Sequence, residues 1–272
     1  MSNPRSITAR TAGQRHGPIT RLVSPGQEGS LIKPFVFLDY VDAPSGAGPG
    51  FGFHPHSGIA TLTFPLTFDV EHEASTGQID VVKQGGLEWV MAGGGLWHRG
   101  RTFGQGPMIG FQLWLAMPPS LELDPPVTRF IPPDQVPRSG PVTVLLGSHG
   151  SMNSRLHSHV DANLLWVELA AGDSWDYSPP EGHLLAWCFA QSGALEVSGE
   201  TLSRELAIFE EGAGPLSFRA NGACRFLLGS AAKHAHELVL GSHSVHTSAQ
   251  ALRDGVRRIS EIGAELRVLG KM

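Results

Sequence analysis

Phe53-His54-Pro55-His56-Ser57-Gly58, running on into Ile59-Ala60-Thr61-Leu62-Thr63-Phe64, is the stretch on which the reading of this chain turns. In an extended strand, residues i and i+2 point to one face, so His54 and His56 can converge on a single point. Pro55 between them cannot donate a ladder hydrogen bond, which puts the pair at a strand start, an edge or a bulge rather than in a central strand. Imidazole is the commonest metal-binding side chain, and two of them on a rigid strand have already lost much of the freedom that binding would cost.

The chain around this stretch has 272 residues. At roughly ~150 residues per domain, that length suggests two domains. The 34 Gly and 20 Pro are spread along it and point to many turns between short elements, as in an all-β protein. A formal net charge of −5, with no basic stripe, argues against direct nucleic-acid binding. Cys188 and Cys224 sit in apolar runs and read as buried, reduced thiols. The first residues carry no apolar leader, and no run reaches the ~18 apolar residues of a membrane span, so a soluble, cytoplasmic, monomeric protein is expected.

Strand-like segments follow one another every 8–12 residues: 31–40, 59–64, 68–73, 79–82, 87–91 and 108–117, with turns such as Lys83-Gln84-Gly85-Gly86 between them. Seven prolines fall within 118–140, which suits an extended linker. A second strand series runs from Val142 to Gly229. Only the end looks helical, with Leu252, Val256 and Ile259 at helical spacing behind an N-cap at Thr247 or Ser248.

A third histidine completes the opening pair. His98 follows the Gly93-Gly94-Gly95 turn, 44 positions after His54, a separation that lets a later strand return beside the first. Three imidazoles from two strands would suit Fe(II), Mn, Ni, Cu or Zn. His157-Ser158-His159 repeats the spacing within a polar segment and reads as a surface loop; His234, His236, His243 and His246 read as surface or structural. Among the aromatics, Trp97 beside His98 is a candidate pocket wall.

Pro34-Phe35-Val36-Phe37-Leu38-Asp39, Phe53-His54-Pro55-His56-Ser57-Gly58, the run from Gly85 through Trp89-Val90-Met91-Ala92-Gly93-Gly94-Gly95 to His98, and Gly110-Phe111-Gln112-Leu113-Trp114-Leu115 resemble, in order, the landmarks of the pirin family in the cupin superfamily. The likeness is strong over 34–117 and looser beyond. It implies a bicupin: an N-terminal barrel over 1–134 with the metal site, a C-terminal barrel over 135–238 without clustered ligands, and a tail with a helix over 239–272 packing on the barrels. It implies a divalent transition metal, usually Fe(II), on His54, His56 and His98. It also implies either a quercetin 2,3-dioxygenase-like oxidation of flavonols or related small aromatics, or a non-enzymatic role, regulatory through a protein partner or ligand-binding, with weak or absent metal.

One departure stands out. The family's fourth ligand is a Glu two residues after the third His, where this chain has Gly100; the position of another family Glu is Ala60. Three neutral imidazoles can still hold a divalent ion with water in the open positions. Glu71 and Glu73, which share a strand face opposite His72, could supply a substitute carboxylate if that face is inward; a solvated hairpin is the other reading. No catalytic residue is assigned.

Overall fold

The computed structural model describes residues 5–45, 48 and 50–272 and is built almost wholly of antiparallel strands. The chain divides into two compact units, one of residues 15–135 with 234–272, the other of 1–14 with 136–233. The division therefore departs from a sequential one at both ends: the opening strand Ile7–Thr11 pairs with Leu206–Phe209, and the C-terminal segment belongs with the first series of strands.

In the unit that carries the opening stretch, the longer strands are β1 (Ile19–Val23), β2 (Phe35–Ala43), β3 (Phe51–His56), β4 (Ile59–Pro65), β5 (Asp69–Ala74), β6 (Ile79–Val82), β7 (Leu87–Met91), β8 (Leu96–Phe103), β9 (Met108–Ala116) and β10 (Val127–Ile131). A seven-stranded sheet has the order β10-β7-β4-β9-β2-β1 followed by the edge strand Gln14–His16, and a four-stranded sheet has the order β3-β8-β5-β6. Central β4 is apolar and buried along nearly its whole length, as expected for a strand covered on both faces. A cavity of about 350 Å³ lies between the sheets. Its lining is mostly alternate strand residues, Phe37, Asp39 and Val41 on β2, His54 and His56 on β3, Val70 and His72 on β5, and His98, Gly100 and Thr102 on β8, with Arg99 beside them.

The proline-rich stretch is not an extended linker. Val127–Ile131 pairs with Leu87–Met91, and Glu122 is buried. Proline is compatible with this because β10 is a sheet edge and the residues before it form turns, where a missing N–H costs nothing.

The C-terminal helix, Ala249–Val268, is N-capped by Ser248, whose side chain accepts from the Ala251 N–H at 3.1 Å. Its buried face matches the expected one only in part: Ile259 is buried and Leu252 half-buried. Val256 is exposed, and the buried stripe is Ala251, Gly255, Ile259, Ile262, Gly263 and Leu266. Two glycines let the helix come close: a Cβ on Gly255 would stand 2.4 Å from Ser57 Oγ, and one on Gly263 2.8 Å from Trp97 Cζ2. Hydrophobic periodicity alone does not register a face built on glycine.

In the other unit a nine-stranded sheet has Leu216–Ala231 as its longest strand, paired with both Leu185–Val197 and Ala162–Leu169. Its core is large and apolar, with Phe226, Leu228, Val144 and Cys188 fully covered. Both cysteines are buried and free.

Candidate metal centre

Strand pairing brings the three histidines together. His54 lies directly opposite His98 in the β3/β8 register, and His56, two residues on, shares its face. The ring centroids are 4.4 Å apart for His54 and His98, 5.0 Å for His54 and His56, and 5.1 Å for His56 and His98. One ring nitrogen from each lies within 4.8 Å of the other two.

The protonation states suit a metal. Burial holds all three imidazoles below their ordinary range; His56, with His54 as the next cause, falls to about 3, and His98, with His56 and then His54 added, is held well below. Neutral imidazoles keep the lone pairs that a cation needs. His54 Nδ1 lies 2.8 Å from the Gly52 carbonyl oxygen and His56 Nδ1 lies 3.1 Å from that of His243. A carbonyl only accepts, so those Nδ1 atoms carry the protons and the Nε2 atoms are free. His98 Nε2 is buried with no hydrogen-bond partner. The donor set therefore fits a divalent transition ion.

The proposed substitutes lie elsewhere. Glu73 pairs with Arg99 (2.5 Å) and Lys271 (3.1 Å), and Glu71 with Arg101 (3.2 Å). In register, Arg99 stands opposite Glu73 and Arg101 opposite Glu71, while Gly100 stands opposite His72. Alternation thus turns both glutamates away from the cavity and His72 into it. The Arg99 guanidinium is paired with Glu73 and lies over the Phe53 ring at the cavity's lining. The same rule corrects Trp97: with His98 inward, Trp97 faces the C-terminal helix and donates Nε1–H to the Ile259 carbonyl at 2.6 Å. Trp114 is the tryptophan of the cavity, stacked 4.0 Å from Phe37 and edge-on to His56 at 4.8 Å.

Residues that the sequence reading did not select complete the site. His72 and Glu88 are buried against one another beside His98. The available signal was a charged residue inside the apolar run Leu87–Met91, since a lone buried carboxylate needs partners. Ser242 and His243 reach the cavity wall from the C-terminal segment. His157 and His159 are exposed, and among the described residues no further group of three ligand-type side chains forms a cluster. In the described chain, no helix is long and apolar enough to cross a membrane.

Comparison with known proteins agrees with this fold. The pirin family model matches residues 17–115. A Pseudomonas aeruginosa protein named "Putative quercetin 2,3-dioxygenase" is 30% identical over 259 residues, covering 87% of this chain and 89% of its own. A pirin-like protein of Caulobacter vibrioides is 30% identical, covering 74% and 75%. Among solved structures, a quercetin 2,3-dioxygenase from Acinetobacter baumannii superposes with a TM-score of 0.84 at 22% identity, over 93% of this chain and 96% of that one. The bacterial pirin YhhW of Escherichia coli, solved in complex with nickel(II), gives 0.62 at 20% identity, over 85% and 98%. With its all-β, two-unit architecture, its ordered motifs and these relatives, the chain belongs to the pirin family of bicupins.

Proposed function

We propose that this protein is a cytoplasmic, metal-dependent dioxygenase of quercetin-like flavonols or related small aromatics, with its metal on His54, His56 and His98. The observation that carries the reading is the convergence of three neutral imidazoles on the wall of an aromatic cavity. The name of the Pseudomonas relative supports the substrate class. Iron is our choice of metal from the family resemblance; the nickel complex of the Escherichia coli pirin supports a divalent ion more generally.

A bound metal would supply activation of dioxygen and of a deprotonated substrate oxygen. The protein's own contribution is position and exclusion of water. The Phe37–Trp114 stack offers a flat aromatic wall next to His56. Thr63 and Gln112 put polar atoms in the same cavity, and the Arg21–Asp39 ion pair lines it further along β1 and β2. About 350 Å³ is within the range of small-molecule sites. Gly100 leaves its part of the wall without a side chain.

The test is element analysis of protein purified without a His tag, followed by oxygen consumption with quercetin. Metal near one equivalent with oxygen uptake dependent on flavonol is expected. Stoichiometric metal without turnover on any flavonol would overturn the dioxygenase reading.

A further inference from the structure

Next to the three-histidine set lies a second buried arrangement that no ion pair or hydrogen bond accounts for completely. Glu88 on β7 and His72 on β5 are 3% and 2% exposed. Thr63 donates its hydroxyl to Glu88 Oε2 at 2.5 Å, and Glu88 Oε1 touches His72 Nδ1. The carboxylate lies on the Nδ1 side of the ring, which favours the neutral tautomer that carries its proton there and keeps a lone pair on Nε2.

The Nε2 atoms of His72 and His98 are both shielded from solvent, and neither has a hydrogen-bond partner. Their rings lie 5.3 Å apart, and one donor atom each from His72, Glu88 and His98 fall within 4.8 Å of one another. A purely structural acid–imidazole pair would explain the closeness of Nδ1 and the carboxylate, but Glu88 Oε1 is itself buried without a hydrogen-bond partner. It also leaves two unmatched buried nitrogens in adjacent rings, each of which has given up its hydrogen bond to water with nothing in exchange. A carboxylate behind an imidazole whose other nitrogen is free is the usual support of a metal-bound histidine.

We infer that His72 is a further cation ligand on the His98 side of the cavity, and that Glu88 is the positioning residue that orients it and brings a carboxylate to a centre that Gly100 leaves without one. This rests on the reading that the cavity binds a divalent cation. The full chain, labelled with ¹⁵N-histidine and titrated with Zn(II), tests it without reference to activity. Ring nitrogens of four histidines, His54, His56, His98 and His72, should shift on binding. Glu88→Gln should weaken Zn(II) binding by about 10- to 100-fold and alter the visible spectrum of the Co(II) form. Glu71→Gln, on the opposite face of β5, should do neither.

Shifts at His54, His56 and His98 with His72 unmoved would overturn this inference and leave the three-histidine site standing. No shift at any of the four would overturn both. A Glu88→Gln protein that binds Zn(II) within twofold of the parent would remove Glu88 from the centre. If that variant does not fold, the wild-type titration still decides the place of His72.

Discussion

His56 Nδ1 is hydrogen-bonded to the main-chain carbonyl of His243, 3.1 Å away, so a residue from the end of the chain sets the orientation of a side chain from near its beginning. The segment that carries His243 is held by a buried polar network. Ser57 Oγ lies 2.8 Å from Ser244 Oγ and 2.9 Å from His246 Nε2; His246 Nδ1 lies 3.1 Å from Glu122 Oε2; the Thr247 N–H and hydroxyl each donate to Glu122 at 2.7 Å. Gly58, at φ +77°, lets the Val245 carbonyl approach to where a Cβ would be 2.1 Å from its oxygen. Glu122→Ala leaves those donors unpaired and should destabilise the protein by about 2–4 kcal/mol. It should also weaken divalent-ion binding by about tenfold or more through loss of the His243 contact. Urea melts and Zn(II) titration read the two effects separately.

Gly100→Glu should be tolerated. A Cβ there has Val70 Cγ1 as its nearest neighbour, at 3.6 Å, an ordinary contact on the cavity wall. The new carboxylate stands in register with His72 and two residues from His98, so Zn(II) affinity should rise about tenfold or more with little change in Tm. Calorimetric titration of the two proteins side by side checks this; equal affinities would place residue 100 outside the reach of the ion.

The metal-stripped protein should lose stability as pH falls below about 6.5. His56, held near 3 in the folded state by burial and by His54, takes up a proton in the unfolded chain first. The unfolded state then binds more protons, so stability is present above the unfolded value and declines through the window from about 6.5 toward 3. The slope should be about 1.4 kcal/mol per pH unit for this imidazole, and His54 and His98 act in the same direction. Urea midpoints across this range should fall less steeply in His56→Gln than in the parent.

Gly255→Ala should destabilise the C-terminal helix's seat even though alanine favours helix. Its Cβ would meet Ser57 Oγ at 2.4 Å and His246 Nε2 at 2.7 Å, inside the network just described. Overpacking of about 1–3 kcal/mol exceeds the propensity gain of about 1 kcal/mol. Val256→Ala, on the exposed face, should stay within about 0.5 kcal/mol of the parent in the same denaturation assay.

How far the sequence could be read depended on the range of the signal. Alternation on short strands is local, so the all-β architecture and the His54/His56 pair were legible, and the ordered motifs led from them to His98. The face on which a glutamate lies was not legible, because it depends on cross-strand register: only the pairing of Gly100 with His72 tells that Glu71 and Glu73 turn outward. The same pairing would have separated Trp97 from the cavity. His246 and Glu122 were out of reach for a different reason, since they meet across 124 residues and no local pattern pairs them. The helix face was legible only at Ile259, because its closest contacts are made through glycines, which carry no hydrophobic signal.

The most direct test of the central claim is metal content and affinity after single replacement of each histidine. Protein purified without a tag should carry close to one equivalent of a divalent transition metal, and His54→Ala, His56→Ala and His98→Ala should each lose most of it, while His157→Ala, on an exposed loop, retains it. Retention of the full complement in all three cavity variants would contradict a metal centre at these residues.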